Sequence, residues 1–210
     1  MNADLRGVLL VLAAYAIGAI PWGVVLGRTV GGVDIRRLGS GGTGATNAQR
    51  ILGWRVGLPV LVLDFLKGFL PILVGERIGV GPWWLALAAV AAVVGHCWSP
   101  YIGFTGGKGV ATAAGAATAL CPQVLFVVPV VAVVVAITRY VSLGSLTACV
   151  LATIGTAWFA GSGRVGWSVP AAIAAMSVIV FLRHEGNIRR LASGTERRLG
   201  ERVKAGDPTG

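Results

Sequence analysis

The stretch LRGVLLVLAAYAIGAIPWGVVL, residues 5–26, contains a single charged residue, Arg6. A helix needs about 20 consecutive apolar residues to cross the hydrocarbon layer of a membrane. A secretory signal peptide has a shorter apolar core, whereas this block continues through Pro21 and Trp22 and ends only before Arg28. We therefore expect residues 5–26 to form the first transmembrane helix of the protein.

Six further apolar blocks follow the first one. They cover residues 54–74, 83–94, 110–120, 124–137, 143–160 and 167–182. Of the 210 residues, 55% are hydrophobic and only 12% are charged, against about 25% charged in soluble domains. The sequence therefore predicts an all-α integral membrane protein, a seven-span helical bundle that forms one domain over residues 1–204. We expect residues 205–210 to be a disordered tail.

The distribution of basic residues predicts the orientation of this bundle. With seven spans, fourteen Lys and Arg residues flank the spans on one side of the membrane and three, Arg6, Arg77 and Arg164, lie on the other. Cytoplasmic loops are rich in Lys and Arg, so the N-terminus is expected outside the cell and the C-terminus in the cytoplasm. A single kinked helix over residues 110–137 would instead give six spans, and the sequence leaves this alternative open.

The net charge of +10 restricts the classes of partner. The basic residues are interspersed with apolar blocks and are not gathered on a soluble domain, which argues against nucleic acid. They fit topology signals and ligands for phosphate or anionic lipid. Cys97, Cys121 and Cys149 are unclustered and lack partners at metal-ligand spacing, so we predict no metal and no cofactor.

The first candidate site is the loop GSGGTGATN at residues 39–47, with an arginine three residues later. Glycines allow close backbone approach, so successive N–H groups can line a concavity for an anion, and hydroxyl and guanidinium groups can complete it. The candidate ligands are Gly39, Ser40, Gly41, Gly44, Thr46, Asn47 and Arg50. The pattern is not a Walker loop, and the alternative is a flexible connection between two spans.

The second candidate site is the segment FTGGKG, directly before the fourth apolar block. Gly106, Gly107 and Lys108 combine backbone donors, the positive end of a helix dipole and a point charge, all of which favour phosphate. His96 is close to the same segment and is either a base or a structural residue. A His-x4-Asp dyad is absent, because the required position holds Tyr101.

Two further groups of polar residues flank the later spans. Ser142 and Ser145 open the sixth span, where a serine by default caps the helix. His184 and Asn187 are three residues apart and would share one face of a helix at the membrane surface, and Glu196 follows them. The alternative for this last group is an ordinary basic flank of the membrane.

Asp64 and Lys67 lie inside the second apolar block. Charges within a span are costly and are expected to pair and to face the interior of the bundle. Their spacing of three residues suits an ion pair on one helix face. The sequence does not decide between a structural pair and a contact with substrate.

In their order and spacing, these motifs resemble those of the acyl-phosphate-dependent glycerol-3-phosphate acyltransferases, the PlsY family, over residues near 15–197. The resemblance implies an enzyme of the bacterial inner (plasma) membrane whose active site faces the cytoplasm. Its substrates would be acyl phosphate and glycerol 3-phosphate, and its products 1-acyl-glycerol 3-phosphate and phosphate, in the first step of phospholipid synthesis. Membrane lipid is a further partner, and no cofactor is implied. One departure is Gly42, where the family pattern usually carries Asn.

The resemblance also implies roles for individual residues. The catalytic residues would be Ser40, Arg50, His96, Lys108 and Asn187. The substrate-binding residues would be Gly39, Gly41, Gly44, Thr46, Asn47, Gly106, Gly107, Ser142, Ser145, His184 and Glu196. The main rival is a membrane transporter or exchanger of phosphorylated metabolites, because basic loops and intramembrane charges suit that class too. The expected position of all motifs on one membrane face argues against it.

Overall fold

The computed structural model describes residues 2–200 and is all-α over this range, so the all-α part of the predicted fold class is confirmed. Its helices are α1 (Ala3–Gly18), α2 (Trp22–Thr29), α3 (Ala45–Leu52), α4 (Trp54–Arg77), α5 (Pro82–Cys97), α6 (Val110–Leu120), α7 (Val127–Thr138), α8 (Val141–Gly161), α9 (Ser168–Arg183) and α10 (Glu185–Ala192). Short 3₁₀ turns cover Ile35–Arg37, Pro100–Ile102 and Pro122–Phe126. The tail expected at residues 205–210 lies outside the described residues.

Length and apolar character show which segments can cross a membrane. In the described part of the chain, three segments qualify by themselves, namely Ala3–Thr29, Trp54–Arg77 and Val141–Gly161. A fourth is the pair Ser168–Arg183 and Glu185–Ala192, which is bent by 62°. The shorter apolar helices are Pro82–Cys97, Val110–Leu120 and Pro122–Thr138. Every predicted apolar block is therefore helical, but several are shorter than a straight crossing needs.

The first apolar block consists of two helices, α1 and α2. Pro21 has no backbone N–H with which to continue α1, and α2 starts at the next residue, Trp22. The break exposes the Ile20 carbonyl oxygen, which accepts a hydrogen bond of 2.8 Å from Lys67 Nζ on α4. The expected first span is thus interrupted by a turn, and the carbonyl group exposed at this turn accepts a hydrogen bond from α4.

The fourth and fifth apolar blocks form two separate helices. α6 ends at Leu120, and Cys121 has an extended backbone with φ −157° and ψ 91°. This geometry is preferred by a residue that precedes a proline, here Pro122. α6 then packs against α4, whereas α7 packs against α8. The chain therefore does not form one helix over residues 110–137.

Helix α5 lies at the centre of the bundle, in contact with α1, α4, α6 and α9. Its inner face is made of small side chains, and Ala88, Ala89 and Ala92 are fully buried. Gly18 of α1 packs directly on this face, since a Cβ at Gly18 would lie 2.2 Å from the Ala92 carbonyl oxygen. Small residues let helix backbones approach closely, which is how helices associate in membranes.

Helices α4 and α6 cross at a pair of glycines. A Cβ at Gly68 would lie 2.0 Å from the Thr112 carbonyl oxygen, and a Cβ at Gly115 would lie 2.0 Å from the Phe65 carbonyl oxygen. The two backbones are therefore in direct contact. This crossing fixes α4, which bears the buried charges, relative to α6, which follows the second glycine-rich loop.

Replacing Gly68 with Ala should destabilise the protein, because the added methyl group forces α4 and α6 apart. Overpacking of this kind costs about 1–3 kcal/mol. We expect the midpoint of thermal unfolding in detergent, followed by circular dichroism, to fall by several degrees. Gly161→Ala is the control, because no heavy atom lies within 4 Å of a Cβ at Gly161. An unchanged midpoint in Gly68→Ala would show that the helices do not pack through this residue.

Candidate active site

A cavity of about 690 Å³ lies among α3, α4 and α6 to α9, and one part of its wall is polar. The residues of this polar part are Ser40, Thr46, Asn47, Arg50, His96, Lys108, Ser142, Ser145, His184, Asn187, Arg190, Glu196 and Arg197. They come from both glycine-rich loops, from the start of α8 and from the segment that follows α9. The four candidate stretches of the sequence therefore meet in one place.

The first glycine-rich loop is held in shape by Asn47. The Asn47 Nδ2 group donates to the carbonyl oxygens of Ile35 and Gly42, both at 2.9 Å. Its Oδ1 accepts the Ser40 N–H at 2.9 Å. Asn47 is buried, so its amide satisfies backbone groups that water does not reach. Asn47 thus organises the loop, and Ser40 beside it borders the cavity.

The glycines of this loop give it its tight course. Gly39 and Gly41 have φ angles of 62° and 69°, in the left-handed region that glycine adopts without a Cβ clash. Gly44 precedes α3, whose first N–H groups have no carbonyl one turn earlier to accept them. Thr46 and Arg50 of α3 border the cavity as well. The backbone N–H groups at the start of α3 and the guanidinium group of Arg50 are suited to bind an anion.

The second glycine-rich loop packs against the first. Thr43 Oγ1 lies 3.1 Å from the point that a Cβ at Gly107 would occupy, and His96 Nε2 lies 2.2 Å from the same point. Only glycine fits at this position. Lys108 follows directly and borders the cavity, one residue before the glycine that precedes α6.

The charge of Lys108 is in an unfavourable environment. Burial is the main reason that its pKa is lowered to about 8. The Glu196 carboxylate acts to raise the pKa, and the guanidinium groups of Arg190, Arg50 and Arg197 act to lower it. A bound anion would favour the charged form of the lysine, so this group of cations is suited to a doubly charged phosphate.

Glu196 links helices α8 and α10 at the wall of the cavity. Its Oε1 accepts hydrogen bonds from Ser142 Oγ at 2.8 Å and from Asn187 Nδ2 at 2.6 Å. Its Oε2 accepts from Arg190 Nε at 2.9 Å. Burial acts to raise the pKa of Glu196, but these hydrogen bonds outweigh burial and lower the pKa from its usual value. The ionised carboxylate therefore fixes Ser142 and Asn187 at the cavity wall.

His184 is buried at the junction of α9 and α10. Its Nδ1 lies 2.8 Å from the Val180 carbonyl oxygen. A carbonyl oxygen only accepts hydrogen bonds, so Nδ1 carries the proton and Nε2 of the neutral ring is an acceptor. His184 borders the cavity, and its Nε2 atom is therefore suited to accept a hydrogen bond from a hydroxyl group of a ligand.

The two charges within α4 form an ion pair. Lys67 Nζ lies 2.8 Å from Asp64 Oδ1, and both side chains are 2% exposed. His96 Nδ1 lies 3.7 Å from the same carboxylate oxygen, so α4 provides the acidic neighbour that the sequence around His96 lacks. Asp64 borders the cavity, whereas the ammonium group reaches the Ile20 carbonyl oxygen at the break between α1 and α2. The position of Lys67 favours a structural pair.

The remainder of the cavity is an apolar trough. It runs among α4, α6, α7, α8 and α9, and its wall includes Leu61, Phe65, Ala114, Val128 and Ile173. The trough is continuous with the polar part of the cavity. One ligand can therefore place an alkyl chain in the trough and a phosphate at the polar part, an arrangement in which apolar contacts bind and a few polar groups orient.

A family model described as Glycerol-3-phosphate acyltransferase matches residues 8–194 of this chain. The matched region contains both glycine-rich loops and the junction of α9 and α10. The chain belongs to the glycerol-3-phosphate acyltransferase family. The resemblance to this family that the motifs predict is thereby confirmed.

Individual relatives of this acyltransferase family agree along almost their whole length. A glycerol-3-phosphate acyltransferase of Thermus thermophilus is 44% identical over 195 residues, which cover 92% of this chain and 96% of the relative. The glycerol-3-phosphate acyltransferase of Anaeromyxobacter sp. (strain K) is 45% identical over 205 residues, which cover 95% of this chain and 100% of the relative.

A solved structure shares the fold. It is a crystal structure of PlsY (YgiH), an integral membrane glycerol 3-phosphate acyltransferase, in its glycerol 3-phosphate form. The two chains superpose with a TM-score of 0.85 at 40% identity, over 92% of this chain and 96% of that chain. The all-α bundle with its apolar helices is therefore the architecture of an integral membrane protein of this family.

Most of the predicted site residues of this acyltransferase family member border the cavity. The cavity wall contains Ser40, Gly44, Thr46, Asn47, Arg50, His96, Gly107, Lys108, Ser142, Ser145, His184, Asn187 and Glu196. Gly39, Gly41 and Gly106 instead shape the backbone of the two loops. Ser145 Oγ donates to the Val141 carbonyl oxygen at 2.9 Å, as a serine within a helix commonly does. The roles of these residues toward substrate stay predictions.

Other residues of the cavity wall were not expected from the sequence. Arg190 and Arg197 border the polar part, although the sequence indicates only a basic flank of the membrane at these positions. Asp64, for which the sequence leaves a contact with substrate open, borders the cavity as well, next to His96. The sequence does not separate an arginine that borders a cavity from one that only sets the membrane topology, because topology and phosphate binding both favour the same residue type.

Binding of a phosphate monoester, with glycerol 3-phosphate as the probe, should weaken above pH 8, because Lys108 then loses its proton. Its pKa is lowered to about 8, so the ammonium group is present below that pH and is lost as the pH rises through it. The phosphate group of the ligand has a second pKa of about 6, so it stays negatively charged as the pH rises through the pKa of Lys108. We expect the dissociation constant, measured by isothermal titration calorimetry in detergent, to rise about tenfold between roughly pH 7 and pH 9.

The control for this titration is Lys108→Arg, because a guanidinium group stays charged over the whole range. The pH profile of this variant is expected to be flat, even where its absolute affinity differs from that of the wild type. An equally steep loss of affinity in Lys108→Arg would assign the titration to another group.

Proposed function

We propose that this protein transfers a fatty acyl group from acyl phosphate to the 1-hydroxyl of glycerol 3-phosphate, which gives 1-acyl-glycerol 3-phosphate and phosphate. This reaction is the first step of bacterial phospholipid synthesis. The observation that carries the proposal is the continuity of the polar part and the apolar trough within one cavity of about 690 Å³. Membership of the glycerol-3-phosphate acyltransferase family supports the same activity.

The polar part of the cavity supplies positive charge for two phosphate groups. Arg50, Lys108, Arg190 and Arg197 all border it. Each phosphate group of a monoester carries about −1.5 to −2 charges at neutral pH. Guanidinium groups bind phosphate oxygens in a bidentate manner, and lysine binds them as a point charge. We assign the phosphate oxygens chiefly to Ser40, Arg50 and Lys108.

The hydroxyl groups of glycerol 3-phosphate would bind to polar groups at the same cavity wall that carry no positive charge. Ser142 and Asn187, both held by Glu196, and the Nε2 atom of His184 are the groups at that wall. Their positions are set by protein contacts before a ligand arrives. Such preorganisation places the 1-hydroxyl near the acyl carbon at little further entropic cost.

Acyl phosphate is an activated donor, so the protein mainly has to align the reactants and stabilise negative charge. The 1-hydroxyl oxygen attacks the acyl carbon and forms the ester bond. The bond between that carbon and the phosphate oxygen breaks, and the phosphate leaves with the electron pair. The hydroxyl proton passes to a phosphate oxygen. His96 faces Asp64 with Nδ1 and Gly107 with Nε2, a position that suits support of the loop better than proton transfer.

The test is acyl transfer by the purified protein in detergent, without added metal. Palmitoyl phosphate and palmitoyl-CoA are offered in parallel as donors to radiolabelled glycerol 3-phosphate. We expect labelled 1-acyl-glycerol 3-phosphate only from palmitoyl phosphate. Lys108→Met, shown to be folded by its thermal unfolding, should lose most of this product because the phosphate loses a buried cation.

Two outcomes of this assay contradict the proposal. Product formed only from palmitoyl-CoA would replace acyl phosphate as the donor. No product from either donor, in protein that unfolds cooperatively, would favour a transporter of phosphorylated metabolites over an acyltransferase.

We further infer that residues 1–204 form one domain that crosses the inner (plasma) membrane of a bacterium seven times. In this arrangement the N-terminus lies outside, and the C-terminus and the active site lie in the cytoplasm. The fourteen basic residues on the side of the active site, against three on the other side, support this orientation.

The direction of α7 supports the seventh crossing. Phe126, directly before α7, contacts Phe159 near the end of α8, with ring centroids 6.2 Å apart. Val135, near the end of α7, packs against Gly144 near the start of α8. α7 is therefore antiparallel to α8 and returns to the end of the bundle at which the polar part of the cavity lies.

Labelling of single cysteines tests the number of crossings. Pro122→Cys and Val141→Cys are introduced separately into a variant in which Cys97, Cys121 and Cys149 are replaced by Ala. With a membrane-impermeant maleimide, we expect position 122 to react in intact spheroplasts and position 141 only in inverted vesicles. Reaction of position 141 in spheroplasts alone would reject the seven-span arrangement, and the parent variant without these cysteines controls for background.

A further inference from the structure

Arg183, the last residue of α9, holds the second glycine-rich loop by its backbone. Its Nε donates to the Gly107 carbonyl oxygen at 3.1 Å, and its Nη2 donates to the Gly106 carbonyl oxygen at 3.0 Å. The guanidinium carbon lies 5.6 Å from the centre of the Trp98 ring, so an aromatic face also holds the group. In the sequence, Arg183 belongs to the motif that contains His184 and Asn187, for which a basic flank is the alternative.

The other side of the loop rests on the end of α5. The Gly107 N–H donates to the His96 carbonyl oxygen at 3.3 Å. A Cβ at Gly106 would lie 2.2 Å from that same oxygen, and a Cβ at Gly107 would lie 2.2 Å from His96 Nε2. The loop therefore lies between Arg183 and His96, with no space for side chains at either glycine.

This arrangement determines the direction of the backbone donors in the loop. In a trans peptide, the C=O and the N–H point in opposite directions, and the described residues contain no cis peptide bond. The carbonyl groups of Gly106 and Gly107 both face Arg183. The N–H groups of Gly107 and Lys108 consequently point away from it.

Arg183 itself does not line the cavity. Among residues 2–200, those that border the cavity include Gly107 and Lys108 but not Arg183. We propose that Arg183 is a positioning residue whose two hydrogen bonds to the loop hold Lys108 at the polar part of the cavity. The effect of this residue on the rate rests on the proposed acyltransferase function, whereas its effect on the loop does not.

Removal of both hydrogen bonds in Arg183→Met should impair the use of glycerol 3-phosphate. A misplacement of about 1 Å in a catalytic site can cost up to ~100-fold, so we expect kcat/KM to fall by at least about tenfold, with an increase in KM. Arg189→Met is the matched control. Arg189 is an arginine of α10 whose side chain is 78% exposed and pairs with Glu185, and its loss should change kcat/KM by less than about twofold.

Two conservative variants distinguish the hydrogen bonds of Arg183 from its charge. Arg183→Lys keeps the positive charge but lacks the planar fork that reaches two carbonyl oxygens, whereas Arg183→Gln keeps a donor without the charge. A purely electrostatic role predicts wild-type kcat/KM in Arg183→Lys and a large loss in Arg183→Gln. We expect most of the loss to appear already in Arg183→Lys, and wild-type kcat/KM in this variant overturns the proposal.

A double-mutant cycle tests whether Arg183 acts through Lys108. If the two residues act independently, the affinity lost in the double variant is the product of the losses in the two single variants. If one residue acts through the other, the double variant loses less than this product. We expect Arg183→Met to weaken the binding of glycerol 3-phosphate by less than about twofold once Lys108→Ala is already present. A full, undiminished loss in the double variant contradicts a role through Lys108.

The closing experiment observes the loop directly, by hydrogen exchange and mass spectrometry of the full-length protein in detergent. Peptides that cover residues 98–109 should exchange faster in Arg183→Met than in the wild type, and Arg189→Met should match the wild type. Unchanged exchange in Arg183→Met overturns the proposal, whatever the activity. Faster exchange in Arg183→Met, together with a wild type that transfers no acyl group, would uphold the loop contact and reject the acyltransferase function.

Discussion

The buried ammonium group of Lys67 constrains the first half of the bundle. A charge inside a membrane protein needs partners, and Lys67 has Asp64 on its own helix and the Ile20 carbonyl oxygen at the break before Pro21. These contacts tie α4 to the break between α1 and α2. The Asp64 carboxylate also faces His96, whose backbone carbonyl holds the second glycine-rich loop. The contacts that pair the buried Lys67 are therefore connected, through Asp64 and His96, to the loop that carries Lys108.

The polar residues around the cavity have two distinct tasks. Some bind the protein backbone or one another: Asn47 holds the first loop, Arg183 holds the second, and Glu196 holds Ser142 and Asn187. Arg50 and Lys108 bring positive charge to the cavity, which Asn47 and Glu196 border as well. Glycine-rich loops have few side chains with which to fix their own shape, so they need the first group. Buried backbone groups must also be paired, and the same side chains meet that requirement.

The concentration of cations makes the polar part of the cavity suited to anions. Burial and neighbouring arginines lower the pKa of Lys108 to about 8, which means that they destabilise the charged form of the lysine. A bound phosphate group would stabilise the charged form of Lys108, because its negative charge neutralises several cations at once. When a ligand with an alkyl chain binds, the adjoining trough would remove that chain from water. A ligand that carries both a phosphate group and an alkyl chain could therefore use both parts of the cavity.

The sequence by itself determined the all-α membrane class, the apolar blocks and the glycine-rich loops, because the length of an apolar run and the freedom of glycine are local properties. Residues that act through such local patterns, among them Ser40 and Lys108, could be predicted as parts of one site. The tertiary structure alone decided that Glu196 bonds Ser142, 54 residues away, and that Arg183 bonds a glycine 77 residues away. No periodicity or spacing encodes such pairs. They exist because the bundle brings the ends of distant helices together and leaves their polar groups to satisfy one another away from water.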